Sequence, residues 1–389
     1  LFLVGCTNKI QVSETPQEPV KEETNIVVEE ATTIPKDSPP MGGEANDQAD
    51  ATSQKEAIVN QSFIQETVAQ KPGCSREFSP QFNAELYYSG PLFDAHFHMP
   101  TAFEQEPEKS PLFPKGFRVP ILGEEITLDE ILCSFDKEKV SGAITFYLWE
   151  YGNLEQSMQY AAEMKKQLPS GIHLFLTPSE LLAKELDEVV SSHTGVFDGF
   201  GEIVFYSPER PGATPDDPVS LEINNIAERH NFIVMFHPDS GQETKVENAL
   251  KKNPNVKFLI HGPQIEDSIT NLIEKYPNVY YSIDTILISK PSSRGAPLMY
   301  TVTSKEEYKR EFTQNFDAML NDAVNKWKNK IEQHPDRFMW GTDRAGDWHF
   351  DEEISILIEE FTRAFIARLD PDVQEKFAYK NAERLVAER

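Results

Sequence analysis

The sequence predicts an α/β fold: a TIM-type (β/α)8 barrel preceded by a disordered N-terminal stalk. Three observations predict it. Eight short apolar runs lie between about residue 78 and the C-terminus, and amphipathic stretches separate them. The runs are nearly continuous in hydrophobicity, which suits parallel strands buried on both faces. The first seventy or so residues instead are rich in Glu, Thr, Gln, Pro, Ser and Ala and hold no sustained period. The competing architecture, a doubly wound sheet, would place a Gly-rich phosphate loop after an early strand, and none follows one.

The chain opens Leu1-Phe2-Leu3-Val4-Gly5-Cys6. Small residues ahead of a cysteine resemble the lipobox of prokaryotic lipoproteins, in which the Cys6 thiol would carry the lipid. Residues 1–6 then read as the end of a lipoprotein signal peptide, and residues 7–75 as an acidic, disordered linker. Such a composition cannot bury enough apolar surface to offset its ordering entropy. Residues 76–389 form the barrel domain. Anchor and stalk together imply an extracytoplasmic location, with the membrane reached through the lipid alone. Cys74, at the start of the domain, and Cys133, in a predicted helix, could pair outside the cytoplasm or stand as unrelated thiols.

The strands are expected at Leu92–Met99, Gly142–Trp149, His173–Thr177, Gly199–Phe205, Phe232–His237, Lys257–His261, Val279–Asp284 and Phe338–Asp343. Helical periodicity fills the gaps at Leu128–Lys137, Leu154–Gln167, Ser179–Val190, Ser220–Arg229, Thr244–Lys252, Ile265–Lys275 and Lys305–Gln333. Two more helices, Asp351–Leu369 and Asp372–Ala387, follow the last strand.

Composition narrows the function. The chain of 389 residues has 37 Lys plus Arg against 64 Asp plus Glu, a net charge of −27. Such a surface repels phosphate backbones, so nucleic acid is an unlikely partner and a polybasic membrane-surface role is excluded. No apolar run reaches the roughly 18–20 residues of a membrane-spanning helix. Three cysteines cannot form a multi-disulfide scaffold.

Barrels place their chemistry at the C-terminal ends of the strands. Strand one ends Asp94-Ala95-His96-Phe97-His98, and residues two apart in a strand share a face. His96 and His98 should therefore point together into the barrel, where paired imidazoles make half of a metal site. His237 ends strand five, His261 ends strand six and Asp343 ends strand eight, while Glu202 lies on strand four. Each has a bland reading alone: a hydrogen-bonded rim histidine, a turn-capping acid or an arginine's partner. Jointly they form a mixed imidazole–carboxylate set.

This constellation resembles the amidohydrolase superfamily, most closely its amidohydrolase-related (type 2) branch. The family pattern has His-x-His on strand one, His on strands five and six, and Asp on strand eight. The tail Asn381-Ala382-Glu383-Arg384-Leu385 is similar to an element of the branch's closing helix. The resemblance implies that His96, His98, His237 and Asp343 hold a divalent metal, zinc first, with manganese or iron as alternatives. His261 would bind a second ion or hydrogen-bond substrate or water, and Glu202 matches a carboxylate that bridges two ions in some relatives. One or two ions are both open.

In the implied chemistry the metal brings the pKa of water to about 7. Asp343 takes the proton of that water and passes it to the leaving group, and the metal, helped by His261, polarises the attacked oxygen as an amide, ester or lactone of a small molecule is hydrolysed. The branch also contains non-oxidative decarboxylases, and a silent barrel acting as a surface binding module is a third alternative. Asp94 could hydrogen-bond a ligand histidine from behind. Trp149, Arg210 and Arg344 stand where substrate would be met, with the arginines able to clamp a carboxylate or phosphate. The loop from Ile286 to Tyr300 would lie at the barrel mouth as a lid or a passive connection. Nothing in the sequence excludes an oligomer.

Overall fold

Eight parallel strands lie side by side in chain order. A computed structural model describes residues 74–99, 117–118, 125–148, 154–178, 183–207, 210–345 and 347–389. The strands are β1 Leu92–His98, β2 Val140–Leu148, β3 Ile172–Thr177, β4 Gly199–Val204, β5 Ile233–His237, β6 Phe258–Ile260, β7 Val279–Asp284 and β8 Phe338–Gly341. Between them run α1 Leu128–Glu138, α2 Leu154–Gln167, α3 Ala183–Ser192, α4 Pro218–His230, α5 Glu243–Lys252, α6 Ile269–Lys275 and α7 Lys305–Gln333. Helix α8, Glu352–Ala367, follows β8. This is the predicted TIM barrel, nearly closed. The lipobox with Cys6, the stalk up to residue 73, and the strand-two end at Trp149 lie outside the described residues.

The seam between β8 and β1 is closed mainly near the top. The Asp343 N–H donates to the His96 carbonyl at 2.8 Å, and the His98 N–H to the Arg344 carbonyl at 2.9 Å. Below them a side chain bridges the gap. The Asp94 carboxylate accepts from Thr342 N (2.9 Å), Thr342 Oγ1 (2.6 Å) and His96 N (3.0 Å). Asp94 therefore bonds the backbone of a candidate ligand and not its ring.

Two register slips set what faces the interior. Phe93 and Ala95 pack among the interior residues, while Phe97 packs outward under the helices. Strict alternation would then send His96 and His98 outward. The pairing of β1 with β2 slips between Asp94 and Phe97, which turns both histidines inward, as bulges beside active sites commonly do. A second slip between Phe200 and Ile203 of β4 does the same for Glu202. Strands β5, β6 and β7 need no correction: Met235, Leu259 and Tyr280 lie inside, and their period-two partners are His237, His261 and Ser282 with Asp284.

The bottom of the barrel is plugged by the C-terminal segment. Ala382, Leu385 and Val386 pack beneath Phe93, Phe175 and Met339. The predicted single helix Asp372–Ala387 is interrupted: a π-helical turn at Lys376–Lys380 separates Pro371–Glu375 from Asn381–Ala387. The Asn381 side chain donates to the carbonyls of Pro335 (2.8 Å) and Phe338 (2.7 Å), and Arg384 to that of Asp336 (2.7 Å). The tail motif thus clamps the entry of β8.

Cys74 and Cys133 form a disulfide with their Cα atoms 4.9 Å apart. It ties the first described residue to α1, whose start carries a reciprocal Thr127–Glu130 capping box.

Candidate metal centre

The predicted residues on five strands meet at the barrel's C-terminal end. His96 Nε2 lies 3.1 Å from His98 Nε2. Asp343 Oδ1 is 3.3 Å from the first nitrogen and 3.2 Å from the second. Glu202 stands between two histidine pairs. Its Oε2 is 3.5 Å from His98 Nε2 and 3.9 Å from His96 Nε2, and its Oε1 contacts both His237 Nδ1 and His261 Nε2. Donor atoms of His96, His98 and Glu202, and those of Glu202, His237 and His261, each group within 4.8 Å.

Local backbone conformations make the convergence feasible. Asp343 adopts φ 61°, a left-handed conformation that is uncommon outside glycine and often found at functional sites. Gly262 has φ +100°, and a Cβ there would lie 2.6 Å from the His237 ring.

The electrostatics are those of a site built for positive charge. Burial would raise the Glu202 carboxyl, but His261 and His237 outweigh it and hold the group well below the usual carboxylate range. Burial lowers His261, yet Glu202 and Asp284 dominate and push it up to about 10. His96 is raised because Asp284 and Asp343 overcome its burial. Burial and the neighbouring His261 hold His237 below the ordinary imidazole value. Among the described residues, no lysine or arginine forms an ion pair with Glu202, Asp284 or Asp343. The buried His/Asp/Glu cluster fits a divalent ion: imidazole and carboxylate donors from opposite walls turn their ligating atoms toward one another.

The sequence reading missed Asp284. Its Oδ2 lies 3.1 Å from His96 Nδ1 and 3.1 Å from His261 Nδ1. The signal was available, since Asp284 ends strand seven as Asp343 was expected to end strand eight. Gln264 Oε1, 3.3 Å from His237 Nε2, and the Tyr206 hydroxyl, 3.1 Å from His237 Nδ1, also border the cluster.

Both arginines expected to meet substrate are engaged elsewhere. Arg344 is 1% exposed, and its two terminal nitrogens each lie 2.9 Å from a Glu138 oxygen. Arg210 reaches Asp217 Oδ2 (3.4 Å) and Ser220 Oγ (3.3 Å) at the start of α4, where Asp217 is the N-cap. The reason is the same in each case: an acidic helix terminus lies closer than the cluster does. In the 286–300 loop, Arg294 bonds the Thr301 carbonyl (2.8 Å) and Glu307 (3.1 Å), so the segment is pinned to α7.

Fold and site together define a barrel protein with an imidazole–carboxylate cluster, and the sequence comparison names the family. The amidohydrolase family model matches residues 94–387, so the chain belongs to that family. A search of curated proteins finds no match. Among solved structures, an amidohydrolase from Burkholderia multivorans with bound HEPES is 13% identical, with 77% of this chain and 99% of that chain covered at TM-score 0.49. A probable 2-pyrone-4,6-dicarboxylic acid hydrolase from Acinetobacter baumannii with citric acid bound is 13% identical over 77% and 100%, at TM-score 0.48. A dihydroxybenzoic acid decarboxylase from Polaromonas sp. JS666, with bound manganese and 2-nitroresorcinol, is 13% identical over 77% and 98%, at TM-score 0.41. Family membership rests on the sequence match alone.

Proposed function

We propose that the protein is a metal-dependent hydrolase that cleaves an amide, ester or lactone of a small molecule. The observation that carries this reading is the convergence of His96, His98, His237, His261, Glu202 and Asp343 on one buried space. His96, His98, His237 and Asp343 would hold the ion, zinc first and manganese or iron next; Glu202 and His261 would share a second. A divalent ion supplies positive charge that acidifies water and polarises the attacked carbonyl oxygen. Asp343 accepts the proton of the attacking water and passes it to the leaving group. Its backbone N–H, fixed on the His96 carbonyl, keeps the carboxylate at the seam beside both strand-one histidines. Glu202 stays ionised between the histidine pairs and fixes their spacing.

An arginine aimed at a substrate carboxylate would favour the decarboxylase; Arg210 and Arg344, the two the sequence offered, instead bond Asp217 and Glu138. The disulfide supports an oxidising, extracytoplasmic setting, in line with lipid anchoring through Cys6.

The test is elemental analysis of the purified protein beside the His96→Ala/His98→Ala variant, followed by a panel of nitrophenyl esters, lactones and amides. Near-stoichiometric zinc, manganese or iron, lost in the double variant together with hydrolysis, is expected. A wild type that takes up no metal after supplementation would overturn the reading, and carbon dioxide release from a carboxylic acid without hydrolysis would replace it with the decarboxylase.

A further inference from the structure

We propose that Asp284 is the positioning residue of this centre: one of its oxygens selects the metal-facing nitrogen of two histidines on different strands at once. The inference rests on the metal reading above and deepens it. Oδ2 of Asp284 is 3.1 Å from Nδ1 of His96 on β1 and 3.1 Å from Nδ1 of His261, just past β6. An ionised carboxylate only accepts hydrogen bonds, so each Nδ1 facing it carries the proton. In the neutral ring that ligates an ion, each Nε2 is then left with its lone pair, and these are the atoms turned toward His98, Asp343 and Glu202. Free imidazole interconverts between two tautomers, and a ring protonated on Nε2 cannot ligate a metal there. Asp284 removes that choice for both rings.

The carboxylate is itself held. Ser282 Oγ donates to its Oδ1 at 2.5 Å, and the side chain has no solvent exposure. Gly341 on β8 makes the room, since a Cβ there would sit 2.5 Å from Asp284 Oδ1 and 2.9 Å from His96 Cβ. The His96 and His261 rings meet edge-on, centroids 4.2 Å apart and planes at 84°, so one oxygen reaches both. The consequence is coupling: a change at Asp284 disturbs ligands on β1 and β6 together, whereas removing either histidine disturbs one.

The experiment measures zinc affinity, by competition with a chromogenic chelator, and long-range ¹H–¹⁵N spectra of zinc-loaded protein labelled at histidine. In Asp284→Ala zinc should bind roughly 10–100-fold more weakly, and the Nδ1–H signals of His96 and His261 should both be lost to solvent exchange. Asp284→Asn, which keeps a neutral acceptor oxygen, should recover part of the affinity and both signals at shifted positions. If Asp284→Ala does not fold, Asp284→Asn decides: weaker zinc binding with both signals displaced supports the proposal. Zinc affinity within about threefold of wild type and unchanged Nδ1–H signals in the folded variant would overturn it and leave the metal reading intact. A wild type that binds no zinc would overturn both.

Discussion

Glu138→Ala is expected to destabilise the barrel without touching the metal cluster directly. Glu138 is the last residue of α1 and 2% exposed; Arg344, 1% exposed, forms two bonds of 2.9 Å with it. Among the described residues the Arg344 Nε has no partner, so Glu138 supplies the side-chain hydrogen bonds of a buried guanidinium and is the first of the acids that offset its charge. Removing one member of such a pair costs about 3–5 kcal/mol, because the other is left charged and dry. For a domain of this size, at about 2 °C per kcal/mol, that is a fall in Tm of about 6–10 °C. Replacing both partners with apolar residues removes the uncompensated charge, so Glu138→Leu/Arg344→Met should lie much closer to wild type, a coupling of at least about 2 kcal/mol. Urea unfolding of Glu138→Leu, Arg344→Met and the double variant, followed by circular dichroism, gives the cycle. The reasoning is refuted if Glu138→Ala costs under about 1 kcal/mol while Arg344→Ala abolishes turnover. Arg344 would then be a substrate group, as the sequence suggested.

Three further outcomes follow from the same structure. Gly262→Ala puts a Cβ 2.6 Å from the His237 ring at φ +100°; it should cost about 1–2 kcal/mol for the backbone alone and weaken metal binding, read by thermal melting and chelator competition. Reducing the Cys74–Cys133 disulfide frees a loop with a sequence separation of 59 and should lower the unfolding free energy by about 4 kcal/mol in the chain-entropy model, measured by urea titration with and without reductant. The Asp198 carboxyl should make the protein acid-sensitive. Burial would raise it, but His173 (2.8 Å) and Lys165 (3.0 Å) prevail and hold it at about 2, against an ordinary 3.8. A lowered carboxyl stabilises fully above its unfolded value and loses that contribution as pH falls from about 4 toward 2, here about 2 kcal/mol. Asp198→Asn should remove that part of the pH dependence of unfolding.

The candidate cluster was legible because its signal is local. A strand alternates by two, so an interior residue points to the next interior residue, and His237 and His261 follow Met235 and Leu259 without interruption. On β1 and β4 the same rule succeeded for a different reason. His96 and His98 do share a face, but it becomes the inner face only through the slip after Asp94. A slip is a property of the pairing between two strands, and nothing in Asp94-Ala95-His96 declares it. Asp284 shows the complementary failure. It met the criterion applied to Asp343 and was passed over because no family motif pointed there.

The arginines' pairing inside the protein has a physical reason that no local signal carries. Arg344 and Glu138 are 206 residues apart. Their pairing depends on α1 ending beneath the strand-eight loop, which the topology decides. An arginine next to a ligand aspartate reads as a substrate clamp until the acid that neutralises it is located. The general consequence concerns charge. In a chain of net charge −27, a buried cation near the site finds a carboxylate of the protein before it finds one on a ligand. The residues left to face an ion are those that, among the described residues, pair with no lysine or arginine and turn a donor atom toward the cluster. That condition separates His96, His98, His237, His261, Glu202 and Asp343 from Arg210 and Arg344.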